Sequence, residues 1–239
     1  MPPADLVLTL HDVHKDYHGL RPLRLQHLEL HQGESVALIG FDRVGAEVLS
    51  NLIMGGTLPD TGDIHAFGTL TRSITNVDDW LEAMHRFGIL SERIVLLESL
   101  SVEQNLALPF SLEIEPVPDD IRPRVRALAE EVGLATGLLS QPAGRLDAEA
   151  LQRTRLAKAL ALDPRILLAE HPNASLSADA AKRFARDLSS VAKQRRLTTV
   201  VMTADVSFAR EAVDRVLTVR AATGQLMPTA GWRDWFTRR

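Results

Sequence analysis

The sequence predicts an α/β protein with an antiparallel β-rich beginning, a helical middle and a final part in which strands and helices alternate. Apolar and polar residues alternate in 6–17 and 23–30, as in strands that expose one face to solvent. Apolar runs at 166–170 and 198–204 flank the helical pattern of 177–194. Two buried strands on either side of a helix predict parallel neighbours joined by a right-handed crossover.

The composition excludes several kinds of protein. The 239 residues include 27 lysines and arginines and 31 aspartates and glutamates, so the net charge of −4 gives no support for nucleic-acid binding. The absence of cysteine excludes disulfides, thiol catalysis and cysteine-bound zinc. The first ten residues lack the basic flank of a signal peptide, and no apolar run approaches the ~18 residues that span a bilayer. We expect any role at a membrane to depend on a partner.

A strand–loop–helix follows the two alternating strands. Segment 34–40 is a buried strand that ends at Gly40, and 46–56 places apolar residues at helical spacing before two glycines. A short strand is predicted at 62–68. The turn after Gly40 therefore joins a buried strand directly to the start of a helix.

The middle of the chain is predicted to be helical. Segment 78–87 has Asp78 as its N-cap, and 101–110 begins with a capping box formed by Ser101 and Gln104. Two further helices are predicted at 118–134, with acids in its first turn, and at 147–163, an amphipathic helix with Leu151, Leu156 and Leu160 on its packed side.

The final elements return to α/β alternation. In open parallel sheets ligands bind at the carboxyl ends of the strands, so the loops after Gly40, Glu170 and Ala204 are expected to share one edge. Besides the strands already described, the elements are a helix at 177–194 with Ser177 as N-cap, a short helix at 208–214, a strand at 215–219 and a turn at 222–226.

The turn "GFDRVGAE" (40–47) has the spacing of a phosphate-binding loop, in which backbone N–H groups, a helix N-terminus and one lysine hold phosphate. Gly40 and Gly45 occupy the two glycine positions. Ala46 and Glu47 stand where such a loop has lysine and serine or threonine. One positive charge is missing and one negative charge is added, which opposes binding of a triphosphate.

From Leu6 to about Leu226, the sequence resembles the nucleotide-binding subunit of ABC transporters. This resemblance implies a P-loop NTPase-like ABC nucleotide-binding domain with an N-terminal antiparallel β-subdomain and a helical subdomain at about 85–160, all within a single domain, 1–239. Five stretches in the family's order carry it: "LHDVHKDYHG", "LRLQHLELHQGESVALIG", "LPDTGDIHAFG", "LLESLSVEQNLALPF" and "QRTRLAKALALDPRILLAEHPNASLS".

The sequence departs from the family at the positions that carry its chemistry. In the phosphate-binding loop, Arg43 replaces the middle glycine, Ala46 the lysine and Glu47 the magnesium-binding hydroxyl residue. The other replacements are Glu92 for the magnesium-contacting glutamine, "LDAEA" (146–150) for the signature LSGGQ, Glu170 and His171 for the Walker B aspartate and the catalytic glutamate, Ser177 for the D-loop aspartate and Ala204 for the switch histidine.

The resemblance also implies cofactors, partners and a location. Members of the family are ATPases that drive transport as dimers, together with a transmembrane permease subunit. The implied protein is cytoplasmic and peripheral on the inner face of the cell membrane, as a homodimer or as a heterodimer with another ATP-binding subunit. ATP and magnesium are the implied cofactors, and the substitutions are expected to weaken or abolish their binding. No separate metal site and no nucleic-acid partner are predicted.

Several candidate residues keep two interpretations. Tyr17, at the family's adenine-stacking position, either stacks on a purine or packs at a strand end. Arg43 is either a solvated loop residue or a substitute anion contact. Glu47 either favours the start of the helix electrostatically or folds back into the empty phosphate turn.

The roles of the residues near the ends of later elements are interpreted in the same way. Glu170 keeps a carboxylate that can contact a metal. His171 is either a general base or a structural histidine at a strand end. Asp147 is interpreted as an N-cap in place of the signature serine.

Three functions follow from this sequence. The first is a degenerate ATP-binding subunit that acts as a scaffold or regulator of a transport complex. The second is an active ATPase with a rewired site built from Glu47, Glu170 and His171. The third is a soluble interaction module unrelated to transport. An apolar stem at 93–114, in the region where the family docks its transmembrane subunit, and an aromatic–basic tail at 231–239 are candidate contact segments.

Overall fold

The computed structural model describes residues 6–229, so the tail at 231–239 lies outside the described residues. Ten strands form two sheets. The strands are β1 (Leu6–Lys15), β2 (Leu23–His31), β3 (Ser35–Ile39), β4 (Thr61–Ala66), β5 (Thr69–Leu70), β6 (Phe87–Leu90), β7 (Ile166–Glu170), β8 (Thr198–Thr203), β9 (Arg215–Arg220) and β10 (Gln225–Pro228).

Seven α-helices connect these strands or pack on them within the described part of the chain. They are α1 (Arg43–Ile53), α2 (Val77–Met84), α3 (Val102–Ala107), α4 (Arg122–Glu131), α5 (Ala148–Leu160), α6 (Ala178–Arg195) and α7 (Val206–Ala212).

The first sheet is antiparallel and has the order β2-β1-β4-β5. The second has the order β10-β9-β3-β8-β7-β6, and its strands are parallel except for β10. This arrangement confirms the predicted α/β class with an antiparallel N-terminal part. It also confirms that β7 and β8, which flank α6, are parallel neighbours.

The six-stranded sheet lies between two apolar cores because its central strands are buried on both faces. In β7, Leu167 faces the core that contains the helices α3–α5, and Leu168 faces the core shared with β1, β2 and α1. All five residues of β7 and all six of β8 are buried. Side chains of opposite faces alternate along a strand, so one strand anchors both layers.

Several helix boundaries differ from the prediction. Helix α1 begins at Arg43 rather than at Ala46, because the Asp42 carboxylate caps it. Asp78 is not the N-cap of α2; Asn76 is, and its side chain accepts a hydrogen bond from the Asp79 N–H. The acids predicted in the first turn of α4 precede that helix, which starts at Arg122. The capping boxes and N-caps predicted at Ser101, Asp147 and Ser177 are confirmed.

Three strands and one helix surface were not predicted, and the first of these strands is the two-residue β5. Residues 87–90, at the end of the predicted helix 78–87, form the edge strand β6 of the six-stranded sheet. Residues 225–228, predicted within and after a turn, form β10. Helix α5 is not the amphipathic helix that was predicted, because Gln152, Arg153 and Thr154 are buried while Leu151 is only half-buried.

Candidate functional site

The carboxyl ends of β3, β7 and β8 meet at one edge of the six-stranded sheet, as predicted for the loops that follow these strands. The backbone N–H of His171 donates to the Met202 carbonyl at 2.7 Å, which ties the end of β7 to the end of β8. Gly40 follows β3 and Ala204 follows β8 at this same edge. The fold therefore brings the predicted site residues together, since parallel neighbours end side by side.

The turn at 40–47 is closed by one of its own side chains. The Asp42 carboxylate accepts a hydrogen bond from the Gly45 N–H at 2.7 Å, and the Asp42 carbonyl accepts one from the Ala46 N–H at 2.9 Å. Gly40 has φ +114°, a conformation that favours glycine. Because N–H groups at a helix start are the donors that bind phosphate, the Asp42 oxygen takes a place that an anion would occupy.

Ala46 and Glu47 point to different surroundings. Ala46 is fully buried in the core shared with β1 and β2. Glu47 is exposed. The carboxylate that binds the Gly45 N–H of the turn is that of Asp42, rather than that of a folded-back Glu47. The acid that closes the turn is therefore not the one considered from the sequence.

A cavity of about 150 Å³ lies beside the turn and brings together half of the predicted site residues. Its walls carry two arginines and three glutamates, so its formal charge is −1 with histidine neutral. The residues that line it are Arg43, Glu47, Ser91, Glu92, Arg93, Glu170 and His171.

Arg93 holds both carboxylate oxygens of Glu170. Arg93 Nε donates to Glu170 Oε2 at 2.9 Å, and Nη2 donates to Oε1 at 2.8 Å. The Glu170 side chain is only 6% exposed and that of Arg93 32% exposed. A bidentate pair of this kind has the geometry of strong, charge-assisted hydrogen bonds.

The electrostatics of Glu170 follow from that pair. Burial raises the pKa of Glu170, but the hydrogen bonds from Arg93, with the hydroxyls of Ser50 and Ser91 close by, outweigh burial and hold the pKa below its ordinary value. The Ser50 hydroxyl is itself buried without a hydrogen bond of ordinary geometry, so we attribute the lowering chiefly to Arg93. Glu170 is therefore ionised and already neutralised from within the chain.

A second ion pair spans the mouth of the cavity. Arg43 Nη2 lies 3.1 Å from Glu92 Oε2, with the two side chains 70% and 33% exposed. Arg43 is thus paired with the residue at the predicted glutamine position instead of facing the turn. Such exposed pairs are weak, typically below about 1 kcal/mol, so this contact is easily exchanged with solvent.

His171 is held by its backbone more than by its ring. It has φ +45°, which is uncommon for a residue with a side chain, and its carbonyl accepts a hydrogen bond from the Ala174 N–H at 3.0 Å. Its Nε2 is buried and has no hydrogen-bond partner within residues 6–229. A general base has to reach the water or group whose proton it takes, so a buried Nε2 gives no support to that role for His171.

Tyr17 lies on the other side of the turn, beside a separate cavity of about 310 Å³. Gly40, Asp42 and Gly45 also line this cavity, and the Tyr17 hydroxyl lies next to Gly45. Burial and the nearby Asp42 carboxylate raise the pKa of Tyr17. The structure thus brings Tyr17 to the turn, with its ring packed partly against the core.

The remaining predicted positions carry no charge toward the cavity. Ala204 is exposed and has no polar side-chain atom. Asp147 caps α5 by accepting a hydrogen bond from the Ala150 N–H at 2.8 Å. Glu149 is bound by Arg153 and Arg183 at 3.0 and 2.6 Å, and the hydrogen bond from Arg183 is the largest cause of its lowered pKa. These side chains satisfy the local structure.

Two residues of the site were missed from the sequence. Asp42 could have been found, because an aspartate three residues before Gly45 is a typical N-cap. Arg93 had no local signal, because its partner Glu170 lies 77 residues away in the chain.

The groups at the positions that the resemblance assigns to magnesium and phosphate are bonded within the chain. Both oxygens of Glu170 are engaged by Arg93, and the Asp42 carboxylate stands on the phosphate-binding turn. Within residues 6–229, no group of three or more histidine, aspartate or glutamate side chains is arranged to hold a metal ion.

None of the helices in the described part of the chain has both the length and the apolar character that crossing a membrane requires.

Comparison with known proteins places these features in a family. The family model described as "ABC transporter" matches residues 23–174. The chain is 31% identical over 213 residues to the sulfate/thiosulfate import ATP-binding protein CysA of Thermosynechococcus vestitus, covering 88% of this chain and 60% of that protein. It is 30% identical over 220 residues to the methionine import ATP-binding protein MetN of Brucella abortus, covering 90% of this chain and 58% of that protein.

Solved structures share the fold. The cbiO1 protein of Clostridium perfringens, part of the ABC transporter complex cbiONQ, matches with a TM-score of 0.80 at 21% identity, over 98% of this chain and 92% of that one. The dimeric bacterial ABC transporter cassette MJ0796 matches with a TM-score of 0.75 at 22% identity, over 94% of this chain and 100% of that one. The chain spans about 60% of the length of the curated relatives it matches.

Proposed function

Because the chain belongs to the ABC transporter family, we propose that it is an ATP-binding-subunit-like protein of a membrane import complex that no longer hydrolyses ATP. It acts in that complex as a scaffold or regulatory partner. The import assignment rests on relatives that are named import ATP-binding proteins. The proposed location is the cytoplasmic side of the membrane, where a permease partner holds the chain.

The bidentate Arg93–Glu170 pair is the observation that carries the loss of hydrolysis. At the position that the resemblance assigns to magnesium, both carboxylate oxygens are satisfied by an arginine of the same chain. Releasing them leaves a carboxylate that is 6% exposed without its arginine, which costs about 2–3 kcal/mol because Arg93 itself is 32% exposed. ATP binding has to overcome that cost before any favourable contact forms.

The charge of the site adds to this cost. The lysine position is the buried Ala46, and the cavity beside the turn has a formal charge of −1 because Glu47 adds a carboxylate to the ion pairs Arg43–Glu92 and Arg93–Glu170. Like charges a few ångströms apart near a protein surface repel by roughly 4 kcal/mol at an effective dielectric constant of 20. A triphosphate therefore meets repulsion where the family's loop supplies attraction.

An exposed apolar surface supports a protein partner. Along the stem at 93–114, the side chains of Val95, Leu97 and Leu112 are 67%, 44% and 89% exposed. Exposed apolar side chains that gather on one segment are typical of interaction surfaces. We propose that this stem contacts the permease, and that a second ATP-binding subunit completes the dimer.

A titration of the purified chain with Mg-ATP, followed by thermal unfolding and phosphate release, tests the loss of function. We expect no phosphate release and no stabilisation, whereas a ligand at 100 times its dissociation constant adds about 2.7 kcal/mol. The double variant Ala46→Lys/Glu47→Ser restores the missing charge and hydroxyl and should regain Mg-ATP binding. The control Val44→Lys adds the same charge at an exposed residue of the same turn and should not. Turnover of Mg-ATP by the unmodified chain would refute the proposal.

A further inference from the structure

A cavity of about 360 Å³ lies between the C-terminal end of α1, the β4–β5 hairpin and α2. It shares no lining residue with either cavity at the phosphate-binding turn. Its floor is apolar, formed by Ile53, Met54, Phe67 and Phe87. Sites for small molecules typically measure roughly 300–1,000 Å³ and have apolar walls with a few polar groups, so this cavity has the size and lining of one.

Helix α2 covers this cavity and packs on the core only partly, through Met84. None of its eight residues is buried, and its apolar side chains Val77 and Leu81 remain 69% and 47% exposed. An amphipathic helix normally buries its apolar stripe, and a helix this short is marginal without such packing. The cavity between α2 and α1, lined on the α2 side by Asp79, Glu82 and Ala83, leaves room for a small ligand with an apolar body.

The polar groups of the cavity favour a cation. Asp79 and Glu82 are three residues apart on α2, so they lie on one face of the helix, and both line the cavity. Arg86 also lines it, but its guanidinium lies over the Phe67 ring at 5.3 Å and only 3.9 Å from Glu82. The cavity thus has a formal charge of −1.

One neutral polar group adds to this pattern. Thr71 lines the cavity and is 3% exposed, and its hydroxyl has no hydrogen-bond partner in the described part of the chain. Buried hydroxyls without partners are uncommon, because leaving one unpaired costs about 1–3 kcal/mol. A ligand with a polar group can satisfy it.

We propose that this cavity binds a small organic cation, an ammonium group joined to an aromatic or aliphatic body. The body lies against Ile53, Met54 and Phe87 with a polar atom toward Thr71, and the ammonium group lies at the rim, near Asp79 and Glu82. This site is independent of the nucleotide-type site, and its test does not depend on whether the chain binds ATP.

Calorimetric titrations with three indole derivatives test the proposal, because the aromatic body stays similar while the charge changes. Tryptamine is the cation, 3-methylindole the neutral compound and indole-3-propionate the anion. We expect tryptamine to bind at least tenfold more tightly than either of the others. Equal binding of all three, or no binding of tryptamine up to millimolar concentration, would overturn the proposal.

Three variants locate the binding. Asp79→Asn should weaken tryptamine binding about tenfold, whereas Asp78→Asn, which removes the same charge from the same helical turn away from the cavity, should leave it unchanged. Ala83→Leu fills the cavity from α2 with a good helix former and should abolish binding while raising the thermal midpoint. Equal effects of the two aspartate variants would indicate general attraction to an acidic helix and would contradict the assigned site.

Discussion

At the scale of single residues, three carboxylates at the edge of the six-stranded sheet, one on the turn at 40–47 and two outside it, are bonded to groups of the same chain. Asp42 binds the Gly45 N–H, Glu170 binds Arg93, and Glu92 pairs with Arg43. Each acid would be repelled by a triphosphate, yet each is favourable as it stands. The acids at this edge of the sheet are therefore satisfied by contacts within the chain.

The two arginines of the site are expected to differ in energetic weight. Arg93→Ala leaves the buried Glu170 carboxylate unpaired and should lower the free energy of unfolding by about 2–3 kcal/mol, less than for a fully buried pair because Arg93 is 32% exposed. Arg43→Ala breaks an exposed pair and should cost under about 1 kcal/mol. Urea denaturation at neutral pH measures both values.

The pH dependence of that difference identifies its cause. Because the folded pKa of Glu170 is lowered, its ion pair stabilises the chain above the ordinary carboxyl pKa, and this stabilisation is lost as the pH falls through the lowered value. The gap between the unmodified chain and Arg93→Ala should therefore shrink in acid. A gap that stays constant down to the pH of acid unfolding would assign the effect to packing instead of charge.

At the scale of elements, caps and close approaches place the helices and strands around the site. Asn105 is fully buried, and its side chain binds the N–H and carbonyl of Leu97 and the carbonyls of Leu100 and Ser101, so it fixes the loop before α3. Strand β6 approaches the end of α5 so closely that only glycine fits at position 88. A Cβ atom there would lie 2.5 Å from the Ala159 carbonyl oxygen.

Gly88 offers a test of this approach between β6 and α5. Gly88→Ala should destabilise the chain by about 1–3 kcal/mol, because a backbone carbonyl cannot yield as a flexible side chain can. Gly137→Ala is the matched control, since an added Cβ there meets no atom within 4 Å, and it should change stability by no more than about 0.5 kcal/mol. Urea unfolding of both variants decides; equal small effects would mean that the strand shifts freely away from the helix.

At the scale of the whole molecule, the six-stranded sheet joins two cores. Strands β3, β7 and β8 contribute side chains to both cores. Unfolding these strands to open one core would therefore expose the other core as well. This shared wall supports the prediction of a single domain, in which the helices α3–α5 and the antiparallel sheet unfold together.

Truncation in each core tests that cooperativity. Leu8→Ala in β1 and Leu106→Ala in α3 remove side chains that are 1% and 0% exposed, and each should cost about 2–5 kcal/mol. Both variants should lower the urea midpoint of a single transition. Tryptophan fluorescence and far-ultraviolet circular dichroism should report that transition at the same urea concentration. The control Leu112→Ala, at a residue 89% exposed, should leave the midpoint almost unchanged. A separate early transition in Leu106→Ala alone would show that the helical part folds independently.

The sequence by itself determined the kind of fold, the order of most elements and the set of residues at the sheet edge. These are properties of local patterning, since a buried strand, an N-cap or a missing lysine is written in a few neighbouring residues. The edge strand β6 was not predicted, because four residues next to a helix form too short a pattern to distinguish a strand from the end of the helix.

Only the tertiary structure decided how the charges of the site are used. The Arg93–Glu170 pair joins residues 77 positions apart, and the cavity under α2 exists only once α1, the β4–β5 hairpin and α2 are brought together. Coulomb energy and burial depend on distances in space, and these distances arise only from the fold. For that reason the sequence predicts that the site opposes triphosphate, but only the structure identifies the residues that pair with its charged groups.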